Sequence, residues 1–309
     1  MKTVLVTGIG GDIAQAVASV VREARPGVKI IGTDIHQQHG GRLFADECIT
    51  LPPAREPGYI SAVKNVVATR QIDLILPMTE AEMAVMVQMP HNLLTAPWVG
   101  PGPRVIAAGI DKLATAKALD KLGLPVPWTL AAGENHPPTY PCILKPRFGS
   151  GSRNIFMVDN EKDAAYLAHK YPDAIFQELL EPAENEVTCA VYRTRDGRVA
   201  TIQLLRRLAG GLTGWAQTIR DNAVEEMCNV IAHGLDLSGS MNIQLRVTTN
   251  GPRVFEINPR FSSTVAMRHK LGFTDVVWTL DEIDGRNVNP APISAGKVAV
   301  RVHDCAILE

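Results

Sequence analysis

The stretch from Met241 to Arg260, MNIQLRVTTNGPRVFEINPR, leaves little freedom of local structure. Ile243, Leu245 and Val247 alternate with Asn242, Gln244 and Arg246, and Phe255 and Ile257 alternate with Glu256, Asn258 and Arg260. Side chains two apart on a strand share a face, so this pattern predicts a hairpin with one apolar and one polar face. A two-residue Asn250-Gly251 turn would set Gln244 opposite Ile257 and mix the faces. A three-residue loop, Thr249-Asn250-Gly251 with Gly251 left-handed, sets Gln244 opposite Glu256 and lets the apolar rows meet, and is the expected register. Glu256 and Asn258, with Gln244 beside them, then gather hard oxygen donors of the kind Mg²⁺ takes together with substrate phosphates. Arg260 follows on the same face, a permanent cation suited to phosphate. A hairpin with a merely solvated polar face fits the same residues, so the rest of the chain has to decide.

A length of 309 residues predicts about two domains. The formal net charge of -1, with no Lys/Arg block, points away from nucleic acid and membrane surfaces as partners. Five scattered cysteines without a CxxC pair predict a reduced, cytoplasmic setting. No uninterrupted apolar run approaches the ~18 residues of a membrane span. The chain starts as a strand and a glycine turn, MKTVLVTGIGG, with no signal-peptide pattern.

Val4-Leu5-Val6, the turn Thr7 to Asp12, a helix from Ile13 to about Ala24, and a strand from Lys29 ending at Asp34 make a βαβ opening of the Rossmann type. Its pattern is GxGGxI, with Ile13 where a third glycine would stand. Two readings stay open: a dinucleotide site with Asp34 on the ribose, or a Rossmann-like domain whose turn lets the helix start close to the strand. In either case the turn lies at the carboxyl end of a strand, where open α/β sheets bind ligands. A loop is expected from His36 to Pro57, then a helix from Tyr59 to Gln71 and a strand Leu74 to Pro77. Glu80 and Glu82 follow that strand, either touching a substrate or starting a helix. The Pro/Gly-rich stretch Pro97 to Pro103 marks a domain boundary.

Asp111 is a candidate N-cap for a helix that carries Lys112 and stops at Gly123. Pro125 to Leu130 is expected to be a strand. Cys142 to Pro146 reads as a strand ending in Lys145, and Asn154 to Val158 as another. Between them runs the loop Arg147-Phe148-Gly149-Ser150-Gly151-Ser152-Arg153. Such loops turn backbone N–H groups inward, and with Lys145 beside them they suit phosphate. Ala174 to Phe176 leads into Gln177-Glu178-Leu179-Leu180, a backbone segment with apolar neighbours that can hold adenine. A hairpin turning at Asp196-Gly197 precedes Arg206 to Gly211, read as a basic, glycine-bearing loop that is either solvated or able to close over an anion.

In this order, DK, the strand ending in KP, the Gly/Ser loop, QELL, a following acid and NIQ…FEINPR resemble the signature of ATP-grasp enzymes. The pattern is most similar to the synthetase halves of the carbamoyl-phosphate synthetase large subunit and their short single-unit relatives. The N-terminal VTGIGGDIA…GTDI…DLILPMTE matches the pre-ATP-grasp domain of those relatives. Here there is one ATP-grasp unit, and Arg206 to Gly214 departs from the carbamoyl-phosphate pattern.

The resemblance implies an α/β and α+β architecture. A Rossmann-like pre-ATP-grasp domain over about 1–108 would precede a two-lobed ATP-grasp domain over about 109–309, with a lid near 124–180 and a metal-binding lobe from about 181. It implies a ligase that uses ATP and Mg²⁺, with Mn²⁺ as an alternative ion. The ligase would activate a carboxylate as an acyl phosphate for attack by an amine, less often a thiol. Lys112 and Lys145 would contact ATP phosphates, under a loop of Gly149, Ser150, Gly151 and Ser152. Gln177, Glu178, Leu179 and Leu180 would hold adenine, with Glu186 on the ribose. Glu256 and Asn258 would bind the metal, helped by Gln244, and Arg260 would steady the transferring phosphoryl group. Strand-end geometry puts the acceptor acid near Gly10, Glu80, Arg206 and Arg207. The partners expected are small carboxylates and amines, and the size is compatible with a homodimer. The rivals are an NAD(P)-dependent oxidoreductase built on the glycine turn, and an ATP-binding regulatory protein without turnover.

Overall fold

The computed structural model describes residues 1–90, 93–149 and 154–302. The N-terminal unit runs β1 (Thr3–Thr7), α1 (Asp12–Ala24), β2 (Lys29–Asp34), β3 (Glu47–Thr50), α2 (Tyr59–Thr69), β4 (Leu74–Leu76) and α3 (Glu80–Met86). Its four strands form a parallel sheet in the order β3-β2-β1-β4. Alternation in β1 splits the side chains between two cores. Val4 and Val6 pack with Val17 and Val21 of α1 on one face. Leu5 packs with Val63 and Val67 of α2 on the other. The expected loop from His36 to Pro57 contains β3, whose backbone pairs with the outer edge of β2.

Two helices, α4 (Pro103–Ile110) and α5 (Lys112–Lys121), lead to a small antiparallel sheet in the order β5-β8-β6-β7. It is built from β5 (Thr129–Ala131), β6 (Cys142–Pro146), β7 (Phe156–Val158) and β8 (Ala174–Glu178), with α6 (Glu161–Lys170) before β8. The strand expected over Pro125 to Leu130 begins only at Thr129, because Pro125 and Pro127 have no N–H to give a ladder.

A six-stranded antiparallel sheet in the order β13-β12-β9-β10-β11-β14 follows. It comprises β9 (Glu186–Arg193), β10 (Val199–Ala209), β11 (Leu212–Ile219), β12 (Gly239–Thr248), β13 (Gly251–Asn258) and β14 (Val298–Val300). Helix α7 (Asn222–Gly234) lies between β11 and β12, and α8 (Val265–Lys270) and α9 (Asp275–Ile283) follow β13. One face, with Cys189, Val191, Ile243 and Leu245, packs on α7, and Val105 and Ala108 of α4 join that core. On the other face the pattern changes along the strand. Ala190 and Tyr192 of β9 are covered by Met267 and Trp278 of α8 and α9, whereas Glu186 of the same row lines an open cleft. The helices α8 and α9 also bring Val265 and Leu280 into the core on the α1 side of the first sheet. Among the described residues no helix is long and apolar enough to cross a membrane.

The hairpin departs from its expected register at the turn. Thr248 pairs with Gly251, leaving a two-residue turn, Thr249-Asn250, and Gly251 adopts φ +92°. The register then shifts by one residue between Gln244 and Leu245, so that Gln244 still faces Glu256. This bulge reverses the expected place of Phe255. Val254 takes the core position and Phe255 lines the cleft, because an extra residue in one strand flips the side chains on either side of it. Arg206 and Arg207 also lie on a strand, β10, and only Gly210-Gly211 forms the turn into β11.

Candidate active site

A cleft of about 730 Å³ opens between the small sheet and the six-stranded sheet, within the range of small-molecule sites. Lys145, at the end of β6, is buried on its wall. Its Nζ donates to the Phe255 carbonyl at 3.4 Å and lies 5.3 Å from the Phe255 ring centroid. Lys112 begins α5 behind its N-cap Asp111, whose carboxylate accepts from the Leu113 N–H. Lys112 Nζ donates to Gly149 O at 2.6 Å and stands 3.8 Å from Glu256 Oε1. Lys112 thus pairs with Glu256, and the same carboxylate acts on Lys145 through its charge without an ion-pair contact.

Burial pushes the Lys145 ammonium down to about 8, against a smaller opposing pull from Glu256. The unfolded lysine, near 10.5, keeps a proton that the folded one releases, so ligand-free stability should rise between about pH 8 and 10.5. A bound phosphate favours the charged form. Nucleotide binding at pH 8 should then take up a fraction of a proton, and at pH 6.5 almost none. Calorimetry in two buffers of different ionisation enthalpy reads this directly. An uptake at pH 8 that persists in Lys145→Met would assign it elsewhere.

The polar end of the six-stranded sheet gathers the next group. Glu186, Arg206, Gln244 and Arg246 come from β9, β10 and β12, which are neighbours in the sheet. Arg206 donates to Glu186 Oε1 at 2.9 and 2.6 Å and to Gln244 Oε1 at 2.9 Å. Arg246 donates to Glu186 Oε2 at 2.8 Å and to Leu180 O at 2.6 Å. One hydrogen-bonded chain thus joins the Gln177–Leu180 segment, Glu186 and Gln244. Gln177 Nε2 donates to Thr129 Oγ1 at 2.9 Å, and Glu178 accepts from the Trp128 N–H at 3.2 Å. Leu179 and Leu180 line the cleft with Ile143 and Phe255 as apolar wall.

At the far end of β13 stand Glu256, Asn258 and Arg260. Gly109 of α4 lies against Pro259, and a Cβ there would come within 2.6 Å of the proline ring. Asn258 Oδ1 accepts from Arg260 at 3.2 Å. Arg260 also forms an ion pair with Glu80 Oε1 at 3.0 Å. Beyond it a second cleft of about 740 Å³ opens at the carboxyl ends of β1 and β4, sharing Asp12, Ile13, Phe148, Gly149 and Arg260 with the first. Gly8, Gly11, Arg55, Met78, Thr79 and Glu80 line it. Its floor is braced by buried Glu82, which accepts from Thr7 Oγ1 (2.5 Å), Thr79 Oγ1 (2.8 Å) and Tyr59 OH (3.0 Å). Burial, then the Glu82 charge, drives the Tyr59 phenol well above its ordinary value.

Of the residues singled out in the sequence, Lys112, Lys145, Gly149, Gln177, Glu178, Leu179, Leu180, Glu186, Gln244, Glu256, Asn258 and Arg260 line the first cleft. Ser150, Gly151 and Ser152 lie outside the described residues. Glu80 lines the second cleft. Gly10 does not, because its N–H donates to Asp34 Oδ2 at 2.9 Å and it faces that carboxylate and His39. Arg206 lines the first cleft and not the second, and Arg207 is exposed, with its guanidinium over Trp215. Sequence reasoning missed Arg246, which alternates with Gln244 and so was legible. It also missed Phe255, which only the bulge turns inward, and Arg55, whose loop carries no pattern.

Among the described residues no three His, Cys, Asp or Glu side chains cluster as a metal cage. Glu256 with the amide oxygens of Asn258 and Gln244 is a sparse, hard-oxygen set. It fits Mg²⁺ that arrives with phosphates rather than a resident ion.

The family model described as ATP-grasp domain matches residues 110–264, half of the chain. The chain belongs to the ATP-grasp family. A second family model, PylC-like, N-terminal domain, matches residues 4–95. The D-alanine–D-alanine ligase of Corynebacterium glutamicum is 29% identical, over 68% of this chain and 67% of that protein. The carbamoyl phosphate synthase large chain of Methanothrix thermoacetophila is 26% identical, over 68% of this chain and 22% of its own length. Among solved structures, N5-carboxyaminoimidazole synthetase from Staphylococcus aureus complexed with ADP superposes with a TM-score of 0.76. It is 17% identical, with coverage of 97% of this chain and 80% of that one. Biotin carboxylase from Campylobacter jejuni gives 0.73 at 19% identity, covering 96% and 74%. These structural likenesses establish the fold: an N-terminal α/β domain followed by an ATP-grasp domain.

Proposed function

We propose that this ATP-grasp protein is an ATP- and Mg²⁺-dependent ligase that activates a small carboxylate as an acyl phosphate and passes the acyl group to an amine. The observation that carries this reading is the convergence of Lys112, Lys145 and Glu256 in a cleft whose far end, at Arg260, meets a second cleft at strand ends. ATP lies in the first cleft, its phosphates toward the two lysines and its base against the Gln177–Leu180 segment. The acceptor acid lies in the second. A carboxylate oxygen bonds to the γ-phosphorus as the bond to ADP breaks, and the amine then displaces phosphate from the acyl carbon. No covalent nucleophile on the protein is needed, since alignment and charge stabilisation supply the rate. Glu256, Asn258 and Gln244 would hold Mg²⁺, which would supply further charge neutralisation on the phosphates. The free thiols of Cys48, Cys142, Cys189 and Cys228 support a reducing, cytoplasmic setting.

The oxidoreductase rival loses its ribose acid. Asp34 already accepts from the N–H groups of Gly10 and His36, holding the turn rather than facing a cofactor. The regulatory rival predicts missing metal or phosphate ligands, whereas Glu256, Asn258 and Arg260 are all in the cleft.

Thermal unfolding with MgATP, MgADP or NAD separates these readings. A ligand at ~100 times its Kd adds about 2.7 kcal/mol to stability. Stabilisation by Mg-nucleotide and not by NAD is expected, and the reverse would sink the ligase reading. ADP release is then screened over pairs of carboxylic acids and amines. Hydroxylamine in place of the amine should trap the acyl phosphate as a hydroxamate.

A further inference from the structure

Arg260 stands where the two clefts meet and lines both. Its Nη2 is 3.0 Å from Glu80 Oε1 and 3.2 Å from Asn258 Oδ1, and its Nη1 donates to Phe261 O at 3.0 Å. The side chains of the pair are 10% and 12% exposed, so solvent screens their attraction poorly. Among the described residues Glu80 has no other cationic partner. It opens α3 at the end of β4, in the N-terminal domain, whereas Arg260 belongs to the ATP-grasp domain. Arg260, where the two clefts meet, is therefore paired with a carboxylate from across the domain boundary.

Resting on the ligase reading of these clefts, we propose that Glu80 is the specificity-determining residue that withholds Arg260 from phosphoryl transfer to water until an acceptor carboxylate enters the second cleft. Water is neutral and brings nothing to dislodge Glu80. An acceptor carboxylate competes for the same guanidinium and repels Glu80 as a like charge. In the suppressed step a water oxygen bonds to the γ-phosphorus, and the bond to ADP breaks with its electron pair going to the ADP oxygen. A proton passes to solvent, leaving ADP and phosphate. In the productive step the carboxylate oxygen replaces water, and the products are acyl phosphate and ADP. The contact thus selects the acceptor by its charge, through a residue that need not touch the phosphate.

The test needs no identified acceptor. ADP release from MgATP, with no added acid, is measured for the full chain, for Glu80→Gln and Glu80→Ala, and for Glu80→Gln combined with Arg260→Met. Both single variants should release ADP at least about tenfold faster than the native chain, a part of the ~10²–10³-fold that one preorganised donor is worth. The double variant should lose that gain. Thermal stabilisation by MgATP is read alongside. Equal stabilisation with no rise in either single variant would overturn the inference and leave the nucleotide site standing. A rise that survives in the double variant would also overturn it, since Arg260 would not be its source. Failure of MgATP to stabilise even the native chain would overturn the nucleotide reading, and this inference with it.

Discussion

Replacing Glu256 by Ala should abolish most of the stabilisation that Mg-nucleotide gives the native chain. Glu256 is the carboxylate that faces Lys112 at 3.8 Å and raises the Lys145 proton affinity. The other oxygens proposed for the metal, on Asn258 and Gln244, are neutral amides already accepting from Arg260 and Arg206. Without the carboxylate the cleft keeps its ammoniums but loses its one anionic metal ligand. A drop on the order of 100-fold in Mg-nucleotide affinity removes about 2.7 kcal/mol of linked stability. Metal-free ADP should behave oppositely and stabilise the variant at least as well as the native chain, because one acid no longer faces its phosphates. That crossing of the two responses is the diagnostic, since general damage to the fold would weaken both. Equal Mg-nucleotide stabilisation of native and variant chains would remove Glu256 from the metal site.

Asp275→Ala should cost roughly 3–5 kcal/mol of stability, the range for stranding one member of a buried ion pair. Arg268 and Asp275 are 0% and 1% exposed and bonded through two contacts, at 3.0 and 2.6 Å. Ser240 Oγ donates to Asp275 at 2.6 Å, and Arg268 Nη1 donates to Ser262 Oγ at 2.8 Å. Removing the carboxylate leaves a guanidinium charge with no anion in an interior that cannot solvate it. Because Ser262 follows Arg260 closely and lines the nucleotide cleft, the same change should loosen the segment that carries Arg260. Replacing both members by apolar residues, as in Arg268→Met with Asp275→Leu, should recover a large part of the loss. Arg286→Ala is the control. That side chain is 60% exposed in its pair with Asp281, and the expected change is under about 1 kcal/mol. Denaturant midpoints at constant slope measure all three. A loss below about 1 kcal/mol for Asp275→Ala would mean the buried pair contributes no more than a surface one.

Much of the candidate site was legible because its residues announce themselves over short spans. Gln244, Glu256 and Asn258 repeat at the period of a strand, and Lys145 closes an apolar strand beside a glycine loop. Asp111 precedes a helix that it does cap. Resemblance in motif order then named the ATP-grasp family, with its metal chemistry as an expectation. The errors fall where a local pattern has two solutions. The segment Arg206 to Gly211 has the composition of a loop, yet pairing with β11 draws its arginines into strand. Phe255 keeps the apolar parity of Ile257 in the sequence, but the bulge takes up the register and aims it at Lys145.

The sequence by itself determined the βαβ opening, the alternation along β12, the Asp111 cap of α5 and the ATP-grasp order of motifs. All of these depend on neighbours a few residues apart, whose relative directions are set by covalent geometry. Only the tertiary structure decided that β10, β9 and β12 lie side by side, which closes two arginines on Glu186. It alone decided that Asp34 is consumed by the glycine turn, and that Glu80 reaches Arg260 across the domain boundary. The reason is physical. Strand order and domain docking are chosen by burial summed over whole faces, a quantity that no short stretch of residues contains.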